Sequence, residues 1–264
     1  MPTISIQDAE FYYEIHGAGQ PIILISGYTC DHRYWIPVLE PLRKNFQVLI
    51  FDNRGVGQTK DDGRNLSVSL MAEDMLALSK ALNLNKPHII GQSMGGTIAQ
   101  YIAAYYPEEI NKLVLLTTTA KRRSAMLLAF ETSLKLRAQN VDFDLLFNTS
   151  LSWIFGEKFL QNKKKIEVLK NILLTNPYPQ SLENQYRQFE VLKNFDGLAD
   201  LSKIKAPCLV VYGEEDIVTL PQESKLLYDL IPNAELVGYP TGHGMIAEMD
   251  PIQGFVNDLF AFLD

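Results

Sequence analysis

Gly91-Gln92-Ser93-Met94-Gly95 sets a serine midway between two glycines, in the order G-x-S-x-G. This spacing matches a nucleophile elbow, in which a sharp turn from strand to helix pushes a hydroxyl clear of the backbone. Three fixed positions arise by chance in about one chain in ten of this size, so the flanking sequence carries the weight. His88-Ile89-Ile90 reads as a strand and residues 97–105 as a helix, which is the setting an elbow requires. The glycines then have a physical role, since without a Cβ at either position the strand and helix backbones can close up on both sides of the serine.

A serine hydroxyl is a weak nucleophile at neutral pH and needs a base within hydrogen-bond reach, most often an imidazole. Of the four histidines, His16 ends a strand and His88 begins the strand before the elbow; His32 sits in a loop and stands in reserve. His243 is the first choice, because Thr241-Gly242-His243-Gly244 forms a glycine-flanked loop between the last strand and the last helix. The base needs an acceptor for its other ring N–H, which fixes the tautomer and stabilises the imidazolium. Asp216 hangs from the carboxyl end of an apolar strand in Gly213-Glu214-Glu215-Asp216, on the same rim as Ser93. Glu214 and Glu215 are near competitors, whereas Thr117-Thr118-Thr119, after the preceding strand, offers no carboxylate. Acyl transfer also needs donors for an oxyanion, and the Met94 N–H opens a helix whose free donors and dipole favour negative charge.

The elements that must hold these groups are legible as short apolar runs. Strands are expected at 3–7, 10–15, 22–25, 48–51, 87–91, 113–116, 206–212 and 234–239. The central runs do not alternate with polar residues, which predicts strands covered on both faces. Helices are expected at 35–44, 94–106 and 221–230, and from Ser67 or Ser69 as N-cap through Met71, Met75, Leu78 and Leu82. A last helix opens with Asp250 as N-cap and Pro251 at its first position, with Ile252, Phe255, Val256, Leu259, Phe260 and Leu263 on one stripe. Strand, helix, strand implies right-handed parallel crossovers. Between 120 and 200 the β-branched runs vanish and helix formers, aromatic residues and lysines take over, so residues 121–203 read as an inserted helical lobe. The expectation is an α/β fold, with a mostly parallel sheet built from 1–120 and 204–264.

Lys and Arg number 24 and Asp and Glu 31, so 24 − 31 = −7, which argues against nucleic acid or an anionic membrane as the main partner. Lys163, Lys164 and Lys165, beside Lys158 and Lys170, read as a solvated helix face. No apolar run reaches the ~20 residues that span a bilayer, and the N-terminal residues carry no secretion signal, so a cytoplasmic protein is expected. Two cysteines, Cys30 and Cys208, are too few for a disulfide framework or a cysteine-based metal site.

The order Ser93, Asp216, His243, with a helical insertion before the acid, resembles the α/β-hydrolase superfamily, in its small cofactor-free esterase and lactonase branch. The likeness covers nearly the whole chain. Phe51-Asp52-Asn53-Arg54-Gly55-Val56-Gly57 is similar to the D-x-R-G-x-G loop of that family, and Gly213-Glu214-Glu215-Asp216 and Gly242-His243-Gly244 resemble its acid and histidine segments. The resemblance implies an eight-stranded sheet with helices on both faces, and a second oxyanion donor in the Tyr28 N–H of Ser26-Gly27-Tyr28. Many relatives carry histidine where this chain has Ser26, which leaves the bracing of that loop open. Asp52 and Arg54 are expected to be structural. Cys30 would lie by the oxyanion loop and Cys208 across the sheet, beyond the ~7 Å that a disulfide bridges. Residues 121–203 resemble the family's cap, where Phe147, Trp153 and Ile154, with Phe143, Leu146 and Phe155, could line an apolar pocket, although such a stripe is more often internal packing. The expected activity is hydrolysis of small or medium carboxylic esters or lactones through an acyl-enzyme on Ser93, with no metal or cofactor. The expected partner is a small-molecule substrate, and the expected assembly a monomer or homodimer. Carbon–carbon bond hydrolysis, amide cleavage and perhydrolysis use the same triad, and a non-catalytic small-molecule receptor is the rival outside enzymology.

Overall fold

A computed structural model describes residues 2–264. The chain runs β1 (Thr3–Ile6), β2 (Ala9–His16), β3 (Gln20–Ile25), a 3-10 turn (His32–Trp35), α1 (Ile36–Leu42), β4 (Phe46–Phe51) and α2 (Val68–Ala81). It continues through β5 (His88–Gln92), α3 (Met94–Tyr105), β6 (Leu113–Leu116), α4 (Ser124–Ala138), α5 (Phe143–Ile154), α6 (Glu157–Leu160), α7 (Lys163–Leu174) and α8 (Leu182–Asn194). After a further 3-10 stretch (Leu198–Lys203) come β7 (Cys208–Gly213), α9 (Pro221–Leu230), β8 (Ala234–Tyr239), α10 (Met245–Glu248) and α11 (Gln253–Leu263).

Eight strands form one sheet in the order β1-β2-β4-β3-β5-β6-β7-β8, antiparallel at β1, β2 and β4 and parallel from β4 onward. Successive side chains on a strand point to opposite faces, and here both faces are apolar. Ile22, Leu24, Val48, Ile50, Val114 and Leu116 pack with Trp35, Val38, Phe255 and Leu259 from the side of α1 and α11. Ile23, Ile25, Leu49, Ile89 and Leu115 pack with Met71, Met75, Ile98, Ile102 and Leu227 from α2, α3 and α9. The absence of alternation in the sequence is thus a consequence of helices on both faces.

Ser67 caps α2 as expected, its hydroxyl accepting the Leu70 N–H at 3.1 Å. The helix expected at 35–44 begins instead as a 3-10 turn, because the Asp31 carboxylate accepts the Arg33 N–H at 2.9 Å and starts the winding early. The last helix differs more. It opens at Gln253 rather than at Pro251, and the Asp250 carboxylate is drawn to Lys165 Nζ at 3.2 Å instead of capping.

Helices α4 to α8 all fall between β6 and β7, and the two ends of this insertion meet. Lys121 and Asp196 form an isolated antiparallel bridge and an ion pair at 2.6 Å, while the Gly197 N–H donates to the Ala120 carbonyl at 2.8 Å. Arg187 of α8 binds Asp61 of the core through both terminal nitrogens, at 3.1 and 2.8 Å. Arg54 is fully buried and grips Asp74 of α2 at 2.5 and 2.7 Å, with Asp8 at 2.7 Å, which fixes the loop after β4 in a structural role. Among the described residues, no helix is long and apolar enough to cross a membrane.

Candidate active site

Strand β5 reaches the carboxyl edge of the sheet and turns at Ser93, whose φ of 52° and ψ of −111° lie where a residue with a Cβ is strained. Three ties hold the turn. The Ser93 N–H donates to the Leu116 carbonyl at 3.0 Å; the Ser93 carbonyl accepts from the Thr97 N–H at 3.2 Å and from the Thr118 hydroxyl at 2.7 Å. A Cβ on Gly91 would overlap the carbonyl of Gly95, and a Cβ on Gly95 would overlap that of Ile25. The two glycines of the motif are therefore what lets β5, β3 and α3 converge on one serine.

The loop between β8 and α10 brings His243 to that serine from 150 residues away: its Nε2 lies 3.0 Å from Ser93 Oγ. Its Nδ1 lies 2.9 Å from Asp216 Oδ2. Asp216, in the turn after β7, is buried with every lone-pair direction in use. Oδ1 accepts the N–H groups of Val218 and Thr219 at 2.8 and 2.9 Å, and Oδ2 accepts the Thr219 hydroxyl at 2.7 Å beside the imidazole. The geometry thus brings Ser93, His243 and Asp216 into one chain of hydrogen bonds.

Their rivals lie elsewhere. The Glu215 carboxylate accepts the Glu157 N–H at the start of α6, and Glu214 is exposed. His32 sits against Asp52, with Nδ1 2.7 Å from Oδ1, and its Nε2 is 3.6 Å from Glu14. Asp31, His32 and Asp52 are the only group among the described residues that gathers three potential metal-ligand atoms. Asp31 is held by Arg33 there, and Asp52 also accepts the His32 and Gln58 N–H groups. Burial raises both thiols, Cys30 to about 12, the opposite of what a nucleophilic cysteine needs, and neither is bridged.

Burial lowers the proton affinity of His32, but Asp52, Asp31 and Glu14 outweigh it, so the ring binds its proton more tightly than the usual 6.5. Such a group stabilises the fold fully below its unfolded value and loses that contribution as pH rises through its higher native value. The stability lost in His32→Asn should therefore be larger at about pH 5.5 than at about pH 8.5 in urea titrations. Equal losses at the two pH values would mean that the folded ring carries no extra charge.

The loop of Ser26, Gly27 and Tyr28 presses against the elbow, since a Cβ on Gly27 would fall on Gln92 Oε1 and 3.1 Å from Ser93 Cβ. Its bracing, open in the sequence, comes from several directions. The Ser26 hydroxyl donates to the Asp31 carbonyl at 3.2 Å, and Asn53 Nδ2 donates to the Ser26 carbonyl at 3.1 Å. Gln188 of α8 accepts the Thr29 N–H at 3.0 Å and donates to the Arg54 carbonyl at 3.1 Å. Met94 occupies the first turn of α3, where a backbone N–H has no helical acceptor.

The inserted helices touch the histidine loop directly. Ile154 accepts the Gly244 N–H at 2.8 Å, and its Cγ2 would be 3.2 Å from a Cβ on Gly244. Glu248 bridges both parts, accepting the Gly242 N–H at 2.9 Å and the Gly156 N–H at 3.0 Å. Phe147 packs with Leu151, Phe159 and Phe155 in the insertion's own apolar cluster and stacks on Phe143, while Trp153 is half-buried on the same helix. Sequence pattern does not single out Thr118, Thr219, Gln188 or Glu248, because each acts through hydrogen bonds set by the fold that leave no local signature.

This sheet, elbow and insertion have a match among known proteins. The chain belongs to the alpha/beta hydrolase fold family, whose profile matches residues 20–248. It is similar to a protein of Azorhizobium caulinodans that carries the name carbamate hydrolase RutD, with 28% identity over 261 residues, covering 95% of this chain and 94% of that protein. Among solved structures, a hydrolase from Pseudomonas aeruginosa PA01 superposes with a TM-score of 0.88 at 25% identity, covering 99% of this chain and 97% of that chain. The enol-lactonase from Burkholderia xenovorans LB400 shares the fold, with a TM-score of 0.86 at 21% identity and 99% of each chain covered.

Proposed function

We propose that the chain is a serine hydrolase that opens small or medium carboxylic esters or lactones through an acyl-enzyme on Ser93. The observation that carries this reading is the placing of one imidazole within hydrogen-bond reach of both Ser93 Oγ and Asp216 Oδ2. His243 takes the serine proton as Oγ attacks the acyl carbon, and returns it to the departing alcohol oxygen. The same ring then deprotonates a water that attacks the acyl-enzyme and frees Ser93. Asp216 keeps the proton on Nδ1 and stabilises the imidazolium. The N–H groups of Tyr28 and Met94 hold the oxyanion in each tetrahedral intermediate. Residues 121–203 serve as a cap that meets the histidine loop through Ile154, with Trp153 beside it on the same helix, while Phe147 packs within the cap's own apolar cluster. These steps use no metal or cofactor, and the free thiols of Cys30 and Cys208 agree with a cytoplasmic enzyme.

A carbamate is the second substrate class to consider, supported by the name of the Azorhizobium caulinodans relative. Its carbonyl would meet the same nucleophile. The test is a series of p-nitrophenyl esters of rising acyl length, run beside a lactone, a carbamate and an amide, with Ser93→Ala as control. Turnover of a short ester or the lactone well above that of the amide is expected. Turnover of the carbamate alone would move the bond class, and no turnover with no labelling by a fluorophosphonate would favour a non-catalytic receptor.

A further inference from the structure

Three arginines are buried among the described residues, and two of them are neutralised: Arg54 by Asp74 and Asp8, and Arg187 by Asp61. Arg122 is the exception. It is 6% exposed, and none of its Nε, Nη1 and Nη2 atoms meets an acceptor from the described residues. The anionic groups whose field reaches it are Glu223 and Asp216, and both are committed elsewhere. Glu223 accepts from the Thr119 hydroxyl, from Arg123 Nε and from the Leu220 N–H, and Asp216 already holds its four donors. Burial lowers the guanidinium to about 10, with Glu223 and Asp216 acting the other way, so it remains a cation at neutral pH. A buried cation without a counter-charge is costly, and an anion that completes it is correspondingly favoured.

The segment that carries it also touches the triad. Arg122 lies on the segment 117–123 that leaves the carboxyl end of β6. Along it the Thr117 hydroxyl donates to the His243 carbonyl at 3.5 Å and the Thr118 hydroxyl to that of Ser93 at 2.7 Å. Four residues on, the Arg122 Cα can lie no more than about 14 Å from that of Thr118. The planar guanidinium fork offers two parallel N–H groups that match the two oxygens of a carboxylate. In a chain of net charge −7, such a local cation is what would draw an acidic group inward.

We propose that Arg122 binds a carboxylate on the substrate, so that the preferred esters are half-esters of dicarboxylic acids and the preferred lactones carry a free acid. This rests on the hydrolase reading of Ser93. The test compares kcat/KM for p-nitrophenyl hydrogen glutarate with that for p-nitrophenyl butyrate in wild type, Arg122→Gln and Arg122→Lys. Wild type should favour the acidic ester by about tenfold or more; Arg122→Gln should erase that ratio and Arg122→Lys restore part of it. A purely packing role would lower both substrates together, so a ratio that does not move overturns the proposal, as does a wild-type preference for the neutral ester. Should the Arg122 variants fail to fold, glutarate titrated calorimetrically into Ser93→Ala gives an independent reading: saturable heat with glutarate but not with its dimethyl ester is expected, and no heat overturns the proposal. If glutarate binds but neither ester is turned over, the Ser93 reading fails and the anion site stands.

Discussion

Ser93→Ala should lower kcat on the best ester by about 10⁶, with the fold and melting temperature close to wild type. The magnitude follows from how the site is built. His243 Nε2 has one productive partner, Ser93 Oγ at 3.0 Å, and once that hydroxyl is gone the base, the acid and the oxyanion donors have nothing to act through together. A residual rate above water, on the order of 10³, would remain from the backbone donors and substrate binding alone. A variant that retains even a tenth of wild-type turnover would remove Ser93 as the nucleophile.

Asp216→Asn should cost about 10⁴ in kcat with little change in KM, and the structure gives the reason in terms of tautomers. The N–H groups of Val218 and Thr219 both point at Oδ1 and admit only an oxygen there. An asparagine must therefore turn its NH₂ toward the Thr219 hydroxyl and His243 Nδ1, where the carboxylate Oδ2 now accepts. The imidazole would then have to accept at Nδ1 and carry its proton on Nε2, aimed at the serine whose proton it should take. The same substitution at Glu215, whose carboxylate holds the Glu157 N–H instead, should leave kcat close to wild type. If Glu215→Gln were the damaging change and Asp216→Asn the mild one, the acid would be misassigned.

How much of this is legible in the sequence depends on whether the cause is local. Gly91 and Gly95 announce the elbow because backbone crowding leaves no alternative at those positions, and the apolar runs of β3, β4, β5 and β6 announce buried strands because both faces are covered. The placing of an acid after β7 is also local, since the end of a strand fixes which rim a following carboxylate occupies. What the sequence hides is set by distant partners. Asp250 has the right type and place for an N-cap, yet Lys165 from the insertion claims it and α11 starts later. The support of the Tyr28 loop by Gln188 crosses 159 residues. Nothing in Lys121-Arg122-Arg123 sets Arg122 apart, and only the fold buries it while Lys121 and Arg123 pair with Asp196 and Glu223.

The central claim is a covalent one, and it can be read by mass. Wild-type protein treated with a fluorophosphonate and digested should yield a single adduct on the peptide containing Gly91-Gln92-Ser93-Met94-Gly95, and His243→Ala should label far more slowly. An adduct on any other residue, or labelling of Ser93 that is indifferent to the loss of His243, would contradict the account.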